Sequence, residues 1–505
     1  MELKFSPSIG DCFNALLGAT STLKTKEGFL VQSIPNSRSP RSIGFEKVVR
    51  SFLGNEHLPF ADVLSAERIQ RVFAKHGNLF ALDGIYTTAV MVWSFLGQVL
   101  SDGKQASCQT AVARIVSYCL LTSRNAPTDD TGDYCKARAK LSEHALRELS
   151  CEVAGEMEMA AKPSWRWKKL HPKLIDGFTF TMPDTSKNQS EYPQQDAQAP
   201  GVGQPIARVV AILSLTTACI LDATLGPYKG KLTGETSLLR RLIAHFGHGD
   251  VAVMDRIYCS YMMIVALQRE GAQVCARKHH TRKTDFRRGK RLGKNDHLIT
   301  WKRPEVCPYW MSRSEYDNLP RTLTVRELRY QVVVPGRRTK CLTIITTLLD
   351  SKEYSLEDIA ELYGFRWNVE LDIRSIKSSL NLEHVRCKSP AMVRREFWTT
   401  MLAYNLIRTT AAGAALLHDK RPRQISFTST CQYVLSCWVS VATGSMEQGA
   451  WRDYCDVLLT QIAHCEVANR PGRLEPRLIK KRPKTYKLMQ KPREELRREL
   501  RKRCT

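Results

Sequence analysis

The stretch Tyr363-Gly-Phe-Arg366-Trp-Asn-Val-Glu370-Leu-Asp-Ile-Arg-Ser-Ile-Lys377 combines a phenol, a guanidinium, a carboxylate and an ammonium at spacings that matter. On a single helix, at about 100° per residue, Tyr363, Arg366, Glu370 and Lys377 fall within an arc of roughly 60°. Leu362, Val369, Ile373, Ile376 and Leu380 form an adjacent apolar stripe that would face a core. The polar strip then lies at the lip of that core. Metal ions that bridge phosphate oxygens need carboxylates. Phosphates themselves need Arg, Lys and hydroxyl donors. The alternative is a solvated polar face on an amphipathic helix, and any one of the four residues alone would suit it.

Phosphodiester cleavage at neutral pH needs an activated water and a stabilised leaving oxygen. Two Mg²⁺ (or Mn²⁺) ions about 4 Å apart can supply both. Mg²⁺ prefers oxygen ligands, so several carboxylates must be gathered by the fold. Asp176 is the first candidate. Alternation along Lys173–Met182 places it on one strand face with Leu174, Phe178, Phe180 and Met182, where an unpaired carboxylate is costly. Its alternative role is an Asp-Gly turn with Gly177, and Asp184 is the runner-up nearer the loop. Asp255 is the second candidate, ending the apolar run Val251-Ala-Val-Met, with helix N-capping as its alternative role. Glu370, on the strip, is the third.

Composition suits such chemistry. The chain has 505 residues, enough for two to four domains, with 43% apolar and 25% charged residues. Its net charge of +26 points to a polyanionic partner, nucleic acid before a membrane surface. No apolar run of about 18 residues implies a transmembrane helix, and residues 1–30 do not resemble a signal peptide. Sixteen scattered cysteines make no C-x-x-C pair, which argues against a zinc ribbon and for reduced thiols in a cytosol.

The elements needed to position the acids can be followed along the chain. Residues 1–150 read as mainly helical, with helices over Thr88–Leu100 and from the N-cap Ser107 joined by Ser101-Asp-Gly-Lys. This pair is either a DNA-binding helix-turn-helix or an ordinary helical hairpin. Strands are expected at 173–182, 206–215 and 218–224, a helix at 237–246, a strand at 251–255, a helix at 258–268 and a strand at 274–276. Residues 276–348 read as a β-rich insertion with a hairpin at Pro335-Gly336. It opens on a basic run in which Arg277, Lys278, Arg282, Lys283, Arg287, Arg288, Lys290, Arg291 and Lys294 face one acid, Asp285. Such a run is a solvated face or a DNA contact. Ser355-Leu-Glu-Asp358 reads as a capping box opening the strip's helix, in a helical region reaching about residue 417. A C-terminal region, 418–505, ends in a basic tail from Arg470, with Lys480, Lys481 and Arg482, read as a DNA-backbone arm or a solubilising tail.

The spacing Y-x2-R-x3-E-x6-K resembles the signature of the DDE-type transposases of bacterial insertion sequences, in the branch called the IS-four group. The segments Leu174-Ile-Asp-Gly-Phe-Thr-Phe-Thr-Met-Pro-Asp-Thr185, Asp255-Arg256-Ile-Tyr258 and Thr131-Gly-Asp-Tyr-Cys-Lys-Ala-Arg138 resemble further motifs of that family. The strand and helix order matches a ribonuclease H-like domain, implying a multidomain α/β protein. Residues 170–275 and 349–417 would form the catalytic domain, interrupted by the insertion, with residues 1–150 binding DNA ends. By resemblance, Asp176, Asp255 and Glu370 form the catalytic and metal-binding triad, and Tyr363, Arg366 and Lys377 hold transposon-end phosphates. Further DNA contacts are expected from Arg256, the insertion's basic run and the tail. Some relatives stack an extruded base on a tryptophan in the insertion; Trp301 and Trp310 are available, with a core role as the default. The implied activity is binding of terminal inverted repeats, strand cleavage and strand transfer into target DNA. A homodimer would pair the two ends, in the bacterial cytoplasm on the nucleoid. A DNA-binding relative without catalysis, or a metal-dependent nuclease without strand transfer, remain the alternatives.

Overall fold

The computed structural model describes residues 64–80, 84–121, 125–332, 340–443, 448–468 and 487–503. Nine strands form one mixed sheet in the order β3-β2-β1-β4-β5-β9-β8-β7-β6. They are β1 (His171–Thr181), β2 (Ile206–Ser214), β3 (Ile220–Pro227), β4 (Asp250–Met254), β5 (Gln273–Arg277), β6 (Lys290–Gly293), β7 (Asp296–Lys302), β8 (Thr322–Val332) and β9 (Lys340–Thr346). β1 pairs antiparallel with β2 and parallel with β4, and β4 pairs parallel with β5. The remaining pairings are antiparallel.

Alternation along these strands separates two apolar cores. Leu174, Phe178, Phe180, Val209, Ala211, Val251 and Val253 belong to one, which also contains Trp93, Leu146, Phe397 and Leu402 from three helices. Ile175, Val210, Ile212, Ala252 and Met254 belong to the other, with Leu238, Leu239, Ile264 and Leu267. The sheet is thus covered on both faces, which explains why β2 and β4 are near-continuous runs of buried residues. Helices form where expected at Thr88–Val99 and Cys108–Leu121, with Ser107 Oγ accepting from the Thr110 amide at 3.1 Å. The Thr88–Val99 helix packs on the long helix Pro390–Leu417.

The insertion strands do not form a separate layer. β9 pairs with β5 through Cys275, Ala276 and Arg277, and Leu328, Ile344, Val325 and Ile345 divide between the same two cores. Two ion pairs are buried within it. Arg326 grips Asp296 at 2.9 and 2.5 Å and donates to the Tyr354 carbonyl at 2.5 Å, and Lys278 meets Glu327 at 2.6 Å. The expected boundary at residue 150 falls inside the helix Glu143–Ala160, which packs against both β3 and the long helix. The Pro335-Gly336 turn, residues 1–63 and the tail with Lys480, Lys481 and Arg482 lie outside the described residues.

Buried polar groups fix the long helix to the sheet. Asn405 accepts from the Ile220 amide at 2.8 Å and donates to the Ile220 carbonyl at 2.9 Å, completing edge strand β3 as another strand would. Asp372, 1% exposed, accepts from Arg408 at 2.7 Å and Arg423 at 2.9 Å. Arg423 also donates to the carbonyls of Ser214 and Leu215 at the end of β2, at 2.7 and 2.6 Å. Asp372→Asn leaves one buried and one half-buried guanidinium short of their counter-charge. It should lower unfolding free energy by about 3–5 kcal/mol, read in urea titration as a lower midpoint at unchanged slope.

Candidate active site

Parallel pairing of β1 with β4 brings the first two acids together. Ile175 lies opposite Met254 in the register, so Asp176 and Asp255 occupy the next rung of neighbouring strands. Asp176 Oδ1 accepts from the Gly177 amide at 2.8 Å. It lies within β1, so the Asp-Gly turn does not form. Asp255 precedes the turn Arg256–Tyr258 and makes no capping hydrogen bond. The following helix, Tyr261–Arg269, is capped instead by Ser260, whose side chain accepts from Met263 at 3.2 Å. Asp184 is exposed and accepts from the Gln189 side chain at 2.9 Å.

The third acid arrives on a broken helix. The capping box forms as expected, Ser355 N to Asp358 at 2.8 Å and Asp358 N to Ser355 Oγ at 3.1 Å. Trp167 stacks on Tyr354 and donates to Glu361 at 3.3 Å, seating this first helix, Leu356–Gly364. The expected single helix then gives way. Gly364, a poor helix former, ends the first segment, and the joint is closed by tighter bonds such as Arg366 N to Tyr363 O. A second segment, Trp367–Arg374, carries Glu370, and a π-helical turn, Ser375–Ser379, carries Lys377. Uniform angular spacing therefore does not hold across the strip. Tyr363, Arg366 and Glu370 remain together, whereas Lys377 faces Glu383 at 3.9 Å.

Arg366 is the hub. It is 8% exposed, and its guanidinium reaches Asp176 at 3.5 Å and Glu370 at 3.1 Å. Asp255 and Tyr363 also act on it electrostatically. Its Nε is buried without a hydrogen-bond partner. Tyr363 is buried, which pushes its phenol pKa well up; Arg366 opposes that shift and Asp255 adds to it, so the hydroxyl stays protonated and able to donate. Burial raises the Asp176 carboxyl to about 6; the Gly177 amide and Arg366 pull it down, and Glu235 and Glu370 push it further up.

Glu235 is the acid that sequence reading passed over. It begins a six-residue helix, Glu235–Arg240, and accepts from the Tyr258 hydroxyl at 2.9 Å. Nothing in its local spacing marks it, because Gly177 and Tyr258, which hold it, are distant in sequence.

Among the described residues, no three His, Cys, Asp or Glu side chains are drawn close enough to hold an ion as they stand. Arg366 bridges two of the acids instead. The donor set still suits a hard divalent cation: all-oxygen, like-charged, and strained toward protonation at Asp176.

Other expected contacts sort by exposure. Arg256, Lys283, Arg287, Arg288, Lys290 and Arg291 are exposed. Lys278 is turned inward to Glu327, and also holds the Lys283 carbonyl and Thr284 Oγ1 at 2.8 and 2.6 Å. Arg282 lies half-buried over Trp301, 3.8 Å from the ring centre. Trp301 itself is 5% exposed within the core beneath the insertion, so its ring is not free to receive a base. Trp310 is partly covered by Arg240. No described helix is long and apolar enough to cross a membrane.

Comparison with known proteins accounts for this arrangement. Residues 171–406, from β1 through most of the long helix, match the family described as Transposase DDE domain. Transposase InsG for insertion sequence element IS4 of Escherichia coli (strain K12) is 26% identical over 447 residues, 86% of this chain and 94% of that protein. A putative transposase for insertion sequence element IS4SA of Synechocystis is 24% identical over 224 residues, 40% of this chain and 59% of that one. A solved piggyBac transposase synaptic complex with hairpin DNA aligns over 81% of this chain and 84% of that one, at 8% identity and a TM-score of 0.39, too low to carry an argument. The domain match and the sequence relatives define the class: a DDE transposase, an enzyme that cuts and transfers DNA. Over most of its length the chain is similar to the transposase of the IS4 element, and over a shorter stretch to that of IS4SA. DDE transposases generally use divalent metal ions.

The raised Asp176 pKa has a consequence for the metal-free protein. Folding raises this carboxyl from 3.8 to about 6, so the folded state binds the proton more tightly. Stability is therefore lost as pH rises through that window, by about 2–3 kcal/mol in all. Asp176→Asn in EDTA should raise the melting temperature at pH 8, and the gain should vanish below about pH 4. Equal melting shifts at both pH values would contradict the assignment.

Proposed function

We propose that Asp176, Asp255 and Glu370 are the catalytic triad of this transposase, holding two Mg²⁺ or Mn²⁺ ions. The adjacent rungs of Asp176 and Asp255, tied to Glu370 through Arg366, are the observation that carries this reading. The order β1-β2-β3, helix, β4, helix, β5, followed by the Glu370 helix, supports a ribonuclease H-like core. When bound, the divalent ions activate the attacking oxygen and stabilise the leaving one.

The chain's own residues then divide the work. Arg366 neutralises Asp176 and Glu370 in the metal-free state. Once their charge is taken up otherwise, its fork, including the unpartnered Nε, is available to a DNA phosphate. Tyr363 supplies a neutral hydroxyl donor beside it. Lys377 reaches a phosphate by leaving its weak contact with Glu383. Arg256 and the exposed cations of the insertion track the backbone of the bound terminal repeats, without reading sequence. One carboxylate site serves both steps, because water and then the freed 3′-OH attack phosphorus in line. The N-terminal region, residues 1–150, is proposed to engage the element's ends, the segment from 470 to contact backbone, and two copies to pair the ends in the bacterial cytoplasm.

The test is full-length protein with DNA carrying the element's ends and Mg²⁺. Asp176→Ala, Asp255→Ala and Glu370→Ala should each abolish cleavage and strand transfer while leaving gel-shift binding nearly intact. A single alanine variant that cleaves at wild-type rate removes that residue from the triad. Arg366→Ala should lower cleavage about 10- to 100-fold, and Arg366→Lys should restore little of it, since a point charge does not replace a fork. Replacing Lys283, Lys290 and Arg291 by alanine should flatten the log–log salt dependence of binding by up to about 3. An unchanged slope would leave those three as a solvated face.

A further inference from the structure

Glu235 stands beside the segment that bears Asp176. A Cβ built on Gly177 would lie 2.5 Å from Cδ and 2.8 Å from Oε1 of Glu235. Any other residue at 177 would displace the carboxylate, so glycine here makes room for a side chain. The residue that Glu235 leans against directly follows Asp176. Its second oxygen, Oε2, is held at 2.9 Å by the hydroxyl of Tyr258, which is fully buried. Tyr258 closes the turn that begins after Asp255. The glutamate is therefore seated between the segments bearing two triad acids, gripped at one oxygen and with Oε1 turned to β1. Its charge acts on Asp176, alongside that of Glu370.

We propose that Glu235 is a fourth acidic residue of the catalytic centre, a positioning residue that sets how strongly Asp176 and its partners draw a divalent cation. The proposal rests on the triad reading above. An anionic group held beside Asp176 raises the site's demand for positive charge, which Arg366 meets in the metal-free protein. Tyr258 keeps that anion in place, because burial holds the phenol protonated and its hydroxyl donating.

Mn²⁺ binding to the full-length protein without DNA, followed by isothermal calorimetry or electron paramagnetic resonance, reads this directly. The Mg²⁺ concentration for half-maximal cleavage of end DNA gives a second readout. Glu235→Gln should weaken Mn²⁺ binding and raise the half-maximal Mg²⁺ concentration, each about tenfold. Cleavage should recover at saturating metal, with end binding and circular dichroism unchanged. Glu235→Asp should recover part of the affinity. Gly177→Ala should reproduce the loss while keeping the glutamate, since the added methyl displaces a flexible carboxylate rather than backbone, and it decides the matter should Glu235→Gln not fold. Wild-type Mn²⁺ affinity in the variants overturns the proposal. If Asp176→Ala itself binds Mn²⁺ and cleaves like wild type, the triad reading falls instead.

Discussion

Parallel pairing of β1 with β4 is the constraint on which the rest depends. Two strands that run the same way, one carrying an aspartate at its middle and the other followed at once by one, present those aspartates side by side without any long loop having to aim them. Backbone hydrogen bonds and two apolar cores set the rung, so the spacing of Asp176 and Asp255 is as rigid as the sheet. Glu370 lacks that advantage. It comes from a helix that must be brought to the strands, and much of the surrounding structure does so: the Ser355 capping box, the Trp167 and Tyr354 stack, the Arg326 bond to Tyr354, and Asp372 gripped by Arg408 and Arg423. Asp372 stands two residues from Glu370, so the network that anchors the helix to β2 also fixes the acid's approach.

Gathering carboxylates creates an electrostatic problem that the free protein must solve alone. Burial and two neighbouring acids push Asp176 toward protonation, and Arg366 answers them with one guanidinium. The same group that quiets the site in isolation is, on the reading proposed here, the one best shaped for a phosphate. Binding of cation and DNA would then exchange partners among groups already present, with little reorganisation of the fold.

Much of this was legible in the amino-acid order, for local reasons. Alternation placed Asp176 among Leu174, Phe178 and Phe180, and an apolar run ending in a carboxylate marked Asp255, because both patterns reflect a strand's period of two. What escaped was set by contacts distant in sequence. The strip was drawn on a uniform helix, but Gly364 and the π turn at Ser375–Ser379 break the period, so Lys377 departs from its three companions. Glu235 carries no spacing signal, since its meaning comes from Gly177 and Tyr258. The insertion showed its strands but not that β9 would pair with β5, a register set by two cores rather than by any hairpin. Trp301 was named for an aromatic that relatives use, and the core claimed it, as large aromatics usually are claimed.

The sheet ends at β6, with β4, β5, β9, β8 and β7 separating it from β1. Lys290 and Arg291 are exposed on this last strand, and basic side chains on a sheet's open margin discourage another chain from adding to it. That margin is also where chain length can change at least structural cost. Residues gained or lost in the β6–β7 hairpin alter the outermost rung and leave the hydrogen bonds of β1 and β4 untouched. The insertion can thus lengthen, shorten or recharge its outer edge while Asp176 and Asp255 keep their spacing, because five strands insulate that spacing from whatever happens at the margin.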